Sequence, residues 1–451
     1  MSVTTTIRID VVPGSSKELG AIARERGAQK LVSAFIFTGL LFMLLPGTFL
    51  GVWNLISISE SRTVTSLAPA WIQAHGHAQV FGWIGSFILG IGFYSLQKLL
   101  HSPLFPLWRG WTAWTLWTAG VALRWTTNIY LWYWRALLPL SAVLELSAFL
   151  IFFFSVRTHR RAAGANKRET WTILVMASTL GFLASLLANV ALAVNVSARG
   201  VGPALTHAID QRFLVLCTWG FLVPAIWGFN TKWLPVFLGL RKPTERWLLM
   251  AVAANTAGVA VALPGFMKSC VFLLLCGTVF ASLGLRIFEP SAHPAKTLKV
   301  HRSFPFFVRA AYFWLSIAAV LGVWAAGADR FGGIWGASRH ALTVGFIATM
   351  VFAIGQRVLP AFCGMKILRS PRVMLWSLLL LNVGCTLRVF SEFPAYEGYW
   401  RGAWHVLPIS AVIELVAVAL FAWNIAATIL LPGRAQNSQF PTNAGFLTTR
   451  R

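Results

Sequence analysis

Apolar positions in this chain come in long unbroken blocks, and the polar and basic residues collect in the short runs between them. Crossing the hydrocarbon core of a bilayer takes about 20 apolar residues. Twelve blocks qualify, at roughly 31–53, 73–96, 108–127, 136–156, 171–194, 209–231, 246–265, 268–287, 307–327, 339–360, 373–391 and 404–430. The pattern predicts an all-α polytopic membrane protein with twelve transmembrane helices. The break from Pro264 to Lys268 is the shortest between two blocks. Residues 1–30 are too polar for a secretory signal, so the first block reads as a signal anchor behind a cytoplasmic N-terminal segment. Residues 31–431 then form a single transmembrane domain, and 432–451 a polar cytoplasmic tail.

Composition agrees: 57% of residues are hydrophobic and only 11% charged, too apolar for a soluble chain of 451 residues. The net charge of +25 would suggest nucleic acid in a soluble protein, but its distribution gives it another meaning. With the N-terminus inside, 28 of the 38 Lys and Arg fall on the cytoplasmic side and 10 on the outer side. That asymmetry places both termini in the cytoplasm, most simply across a bacterial inner membrane, and makes the lipid bilayer the partner of the charge. The five cysteines, Cys217, Cys270, Cys276, Cys363 and Cys385, have neither zinc-type spacing nor a Cys-x-x-Cys-His motif.

Self-similarity organises the blocks further. Leu138 to Leu146 matches Leu407 to Leu415 at seven of nine positions, the rest being Leu/Ile exchanges. Leu123-Arg124 corresponds to Leu387-Arg388, and Tyr133-Trp134-Arg135 to Tyr399-Trp400-Arg401. A weaker match aligns Gly82, Gly220 and Gly345, each followed fifteen residues later by Gln97, Pro235 and Pro360. Three four-helix units are predicted, at about 31–156, 171–287 and 307–430, arranged as a pseudo-symmetric ring. Five residues before the aligned glycines stand His77, Val215 and His340, so units one and three carry a histidine where unit two has none.

These positions suggest chemistry. Paired by the repeat, His77 and His340 are candidate axial ligands gripping a haem iron from both sides. His75 lies about 200° around the helix from His77 and cannot easily share its metal. It is a second partner behind the site, a ligand of another metal such as copper, or an interfacial residue. His207 and His405 are the other histidines on the outer side within the apolar blocks or at their ends. Haem propionates call for arginine, and Arg124, Arg388, Arg135 and Arg401 stand at outer ends where topology disfavours them. Snorkelling to headgroups is the plainer account of each. Glu145 and Glu414 fall about ten residues into their blocks; intramembrane carboxylates relay protons, bind a cation or serve helix packing. Trp108, Trp111, Trp114 and Trp117 follow a three-residue step, which suits packing and could flank a macrocycle.

Twelve spans in three units, with histidines in the second and tenth, resemble the catalytic subunit of haem-copper oxidases. More specifically, His75-Gly76-His77-Ala78-Gln79-Val80-Phe81-Gly82 and His340-Ala341-Leu342-Thr343-Val344-Gly345 resemble the two signature segments of the NnrS family. The resemblance implies a membrane protein with haem b, with copper as a further candidate, acting in nitric oxide and nitrosative stress or with a redox partner. It carries haem ligation to His77 and His340 alone. The oxidase copper site has no counterpart in spans six and seven, so a dioxygen-reducing centre is not expected. Two other readings stay open: a proton-coupled transporter built on Glu145 and Glu414, and an accessory factor that handles haem without using it.

Overall fold

A computed structural model describes residues 16–99, 105–158, 169–297, 299–364 and 366–431. Among these the chain is all-helical, in twelve rods. They are α1 (16–61), α2 (69–99), α3 (Leu107–Tyr130), α4 (Trp134–Thr158), α5 (Thr170–Arg199), α6 (His207–Leu238), α7 (Glu245–Ala262), α8 (Met267–Leu285), α9 (Phe304–Ala328), α10 (Gly333–Phe362), α11 (Pro371–Tyr396) and α12 (Ala403–Leu430). Ten are long and apolar enough to cross a membrane. The other two are α3, whose apolar look rests on tryptophan, and the short α7, which opens on Glu245 and Arg246. The break predicted at Pro264 to Lys268 falls at 263–266, where Gly265 turns the chain at φ +106°.

Helices must satisfy every backbone group internally in lipid, which leaves side chains to decide the packing. In α5, Leu180, Leu187 and Val194 recur at seven-residue steps and are all exposed, while Ser178, Ser185 and Asn189 point inward and are buried. Polar residues inside and apolar ones outside is the arrangement a bilayer demands. Consecutive rods pack side by side, and α12 returns against α1, closing the circuit. The first rod differs from expectation, since the helix begins at Ser16 rather than near residue 31. Its added turns are held by Glu25, whose Oε1 accepts hydrogen bonds from Tyr94 of α2 and from Gln29.

Four rods contain a π-helical stretch, where each hydrogen bond spans one residue more than in an α-helix. One is Met43–Phe49 in α1, around Pro46. The other three, Ala78–Gly85 in α2, Leu216–Leu222 in α6 and Ala341–Ala348 in α10, share a register. Each begins one residue after His77, Val215 or His340, and each carries Gly82, Gly220 or Gly345 as its fifth residue. Side chains just before these stretches are thereby turned relative to the rod below.

The tryptophan run shows how much a three-residue step drifts. Each step advances about 300°, so three steps move the side chain to the opposite face of the helix. Accordingly Trp108 is 64% exposed, while Trp117 is fully buried and donates from Nε1 to Ser86 Oγ. The run crosses from surface to core rather than lining one wall. All five cysteines are free thiols, four of them buried.

Candidate functional site

The buried histidine, arginine and carboxylate side chains lie toward the end of the bundle formed by the turns at 62–68, 131–133, 200–206, 263–266, 329–332 and 397–402. They form two clusters. In the first, His77 ends the α-helical opening of α2 and directs Nε2 at Glu145 Oε1 of α4, at 2.7 Å. The second oxygen of Glu145 accepts from Asn189 Nδ2 of α5 at 3.0 Å. Glu145 is fully buried and His77 is 7% exposed. The carboxylate reaches this depth because Gly120 of α3 has no side chain: a Cβ there would lie 2.9 Å from Glu145 Cγ and 2.9 Å from the Ser141 carbonyl. One turn on, Arg124 is buried, with Glu145 and Asp210 in electrostatic range and with its Nε and Nη1 lacking any hydrogen-bond partner. The His77 ring stacks on Phe81, at 4.6 Å between centroids, and Phe81 meets Trp117, Phe182 and Phe213, so aromatic rings close this cluster.

The second cluster repeats the same parts on α10, α11 and α12. Glu414 lies against Gly384, where a Cβ would come within 2.6 Å of Glu414 Cγ, as Glu145 lies against Gly120. Arg388 follows Gly384 by one turn, as Arg124 follows Gly120, and is also buried. Here, however, the histidine has a different neighbour. His340 Nδ1 donates to the Gly336 carbonyl at 2.9 Å, and the same nitrogen lies 2.8 Å from Glu392 Oε2 of α11. Arg388 Nη2 donates to Glu392 Oε1 over a long 3.4 Å, and its Nε and Nη1 have no hydrogen-bond partner. Nε stands 3.3 Å from Glu392 Oε2, a distance for charge attraction without hydrogen-bond alignment. Glu414 Oε1 is buried and unpartnered.

His75 belongs with this second cluster. It has His340 and Arg388 in electrostatic range. Its Nδ1 donates to the Gly47 carbonyl of α1 at 2.8 Å, and its ring sits over Gly51, where a Cβ would fall 2.5 Å from Cε1. Both His75 and His340 are partly buried in the bundle.

The remaining sequence candidates lie elsewhere. Arg135 is exposed and caps the end of α5, donating to the carbonyls of Ser197 and Gly200 at 2.7 and 3.2 Å; Arg401 is exposed near the end of the turn before α12. Neither joins the buried arginines. His207 and His405 are exposed on separate rods, and among the described residues no three His, Cys, Asp or Glu gather into a metal-binding group. The structure thus does not bring His75, His207 and His405 together as copper ligands, because His75 is turned toward Gly47 in α1 while the others face outward. Asn189, Asp210 and Glu392 are site residues that the sequence reading passed over. The available signal was Glu392 one helical turn after Arg388 inside an apolar block, a spacing that pairs side chains on one face.

Chemically, the second cluster offers imidazoles with Nε2 free beside a buried guanidinium that has N–H groups to spare. That donor set suits an iron porphyrin, whose metal takes histidine and whose propionates take arginine. The orphaned donors of Arg388 carry the fit, since a buried cation leaves N–H groups unpaired only at a cost of about 1–3 kcal/mol or more each.

No curated protein matches the chain. Among solved structures it is similar to a haem-copper terminal oxidase dimer studied by cryo-electron microscopy, with a TM-score of 0.67 over 90% of this chain and 85% of that one. At 13% identity this likeness concerns the fold, which is that of the oxidase's membrane subunit. The NnrS protein family matches residues 33–432, which is most of the sequence and contains both clusters; the chain belongs to the NnrS family.

Proposed function

We propose that this protein binds haem b between α2 and α10 and acts in the response to nitric oxide or in related redox chemistry. His340 supplies one axial ligand and a histidine of α2 the other, with Arg388 and Arg124 set for the propionates. The observation that carries this reading is the free imidazole Nε2 of His340 and of His75 near buried Arg388, whose Nε and Nη1 lack hydrogen-bond partners. The basic-residue asymmetry supports a bacterial inner-membrane location with cytoplasmic termini, which sets the site near the outer face. Bound haem would supply one-electron and ligand-binding chemistry at its iron. The chain's own residues orient the imidazoles through backbone carbonyls, hold carboxylates by arginine and exclude water with aromatic side chains.

The test is an absorption spectrum with haem and metal analysis of the purified protein. A low-spin haem spectrum that is lost in His340→Ala is expected; a colourless protein from haem-replete cells sinks the reading. One observation favours a competing account: Glu414 Oε1 is buried without a partner, as an ion- or proton-carrying carboxylate would be. A proton-coupled transporter would be colourless and would lose flux in Glu145→Gln.

A further inference from the structure

If the chain binds haem between α2 and α10, two histidines of α2 compete for the iron, and their hydrogen bonds decide between them. We infer that His75, not His77, is the axial partner of His340, and that His77 belongs to a separate closed cluster whose task is to fix α2. The inference rests on the haem reading above.

Tautomer comes first. A carbonyl oxygen can only accept, so the Nδ1 atoms of His75 and His340, on Gly47 O and Gly336 O, must carry the proton. Both Nε2 atoms are therefore left as lone-pair donors, and among the described residues neither has a hydrogen-bond partner. Donation of the far ring N–H to a backbone carbonyl or carboxylate is how metal-bound histidines are held. His340 has the carbonyl, and Glu392 Oε2 lies 2.8 Å from the same nitrogen without hydrogen-bond alignment. His77 is the reverse case, because its Nε2 is the atom already taken by Glu145. Coordinating through it would break this contact and leave Glu145 Oε1 unpartnered in a buried site.

Placement agrees. His75 and His77 point about 200° apart around α2, so they cannot face the same space. His75, hydrogen-bonded to Gly47 and lying over Gly51 of α1, has His340 and Arg388 within electrostatic range. His77 is stacked on Phe81 within an aromatic cluster that leaves it 7% exposed, with no room for a macrocycle.

The shared register of the three π-helical stretches in α2, α6 and α10 agrees with this pairing. The residue before each stretch is His340, His77 or Val215, and the residue two positions earlier on the next of these three rods is His75, Phe213 or Ser338. The offset couples His340 with His75, His77 with Phe213, and Val215 with Ser338 in sequence register. Only the first supplies two imidazoles. Phe213 indeed stacks on Phe81, the ring that covers His77.

The test uses full-length protein purified in detergent from haem-supplied cells, read by absorption and electron paramagnetic resonance. His75→Ala and His340→Ala should each abolish the low-spin signal and lower haem retention on the order of tenfold or more. His77→Gln, which can still donate to Glu145, should keep the wild-type low-spin signal. His75→Gly with added imidazole should recover it, which separates a lost ligand from a misfolded protein. A low-spin signal lost in His77→Gln but kept in His75→Ala overturns the assignment. So does a low-spin signal in His75→Gly before imidazole is added. Absence of haem in the wild type would instead defeat the underlying haem reading.

Discussion

Adding one methyl group at Gly120 should destabilise this protein, whereas the same change at Gly327 should stabilise it. An alanine Cβ at 120 would stand 2.9 Å from both Glu145 Cγ and the Ser141 carbonyl. Ordinary carbon contacts begin near 3.5 Å, so α3 and α4 must part by roughly half an ångström. Overpacking of this kind costs about 1–3 kcal/mol. Glu145 would carry the shift into its 2.7 Å contact with His77 and its 3.0 Å contact with Asn189, and a weakened buried hydrogen bond adds about 1–3 kcal/mol. Replacing glycine in a helix returns about 0.5–1 kcal/mol. The net expectation is a loss of about 1–5 kcal/mol. At Gly327, exposed on α9 with nothing within 4 Å of the added Cβ, only the helix gain remains. Reversible unfolding in mixed micelles, followed by tryptophan fluorescence, measures both variants on one scale. Equal shifts for the two would refute the claim that Gly120 exists to admit Glu145.

Gly384→Ala, where the Cβ would meet Glu414 Cγ at 2.6 Å, should lose at least as much in the same assay. Arg388→Leu leaves Glu392 buried without its cation and should cost about 3–5 kcal/mol, most of it recovered when Glu392→Leu is added; additive losses in that double-mutant cycle would show that the pair is not coupled. Away from the buried site, Lys232 at the end of α6 hydrogen-bonds and pairs with Glu169, and this holds the Glu169 carboxyl below the ordinary glutamate range, with slight burial opposing and Trp171 assisting. A depressed folded value means that the tie is fully present above the unfolded value of about 4.3 and is lost as pH falls through the folded one. Glu169→Gln should therefore remove a small acid-side loss of stability, small because the pair is exposed to water. His207→Ala and His405→Ala should leave haem content unchanged, checked by pyridine haemochrome assay.

Hydropathy made the rods legible nearly to their ends, because a bilayer requires length and apolarity of every crossing helix. It misjudged α1, whose early turns are fixed by Glu25 and Tyr94 rather than by lipid. The clusters were half legible. Repeat matching picked out His77, Arg124, Glu145, His340, Arg388 and Glu414, since a charged residue kept in register within apolar sequence stands out. It set His77 and His340 at equivalent positions, and which histidine of α2 serves the site turns on side-chain rotation that a repeat does not carry. Glu392 was hidden because its counterpart one turn after Arg124 is Asn128, so no match drew attention to it. The difference between the two clusters, one closed on Glu145 and one open beside His75, is a property of side-chain rotation that spacing alone does not carry.

The π-helical stretches give that rotation a mechanical meaning. Each contains one residue more than its length of α-helix would hold, and one residue is worth about 100° of turn and 1.5 Å of rise. Such a stretch works as a phase adjuster on a shaft: the part of α10 below it can stay bolted to its neighbours through Phe352 and Phe421, while the part above, with Gly336 and His340, is indexed separately. Deleting a single residue such as Val344 would remove the offset and swing His340 away from Glu392 of α11 without changing which rods touch. A membrane bundle whose outward faces are committed to lipid thereby keeps one inexpensive way to re-aim its inner side chains, by gaining or losing one residue at a time.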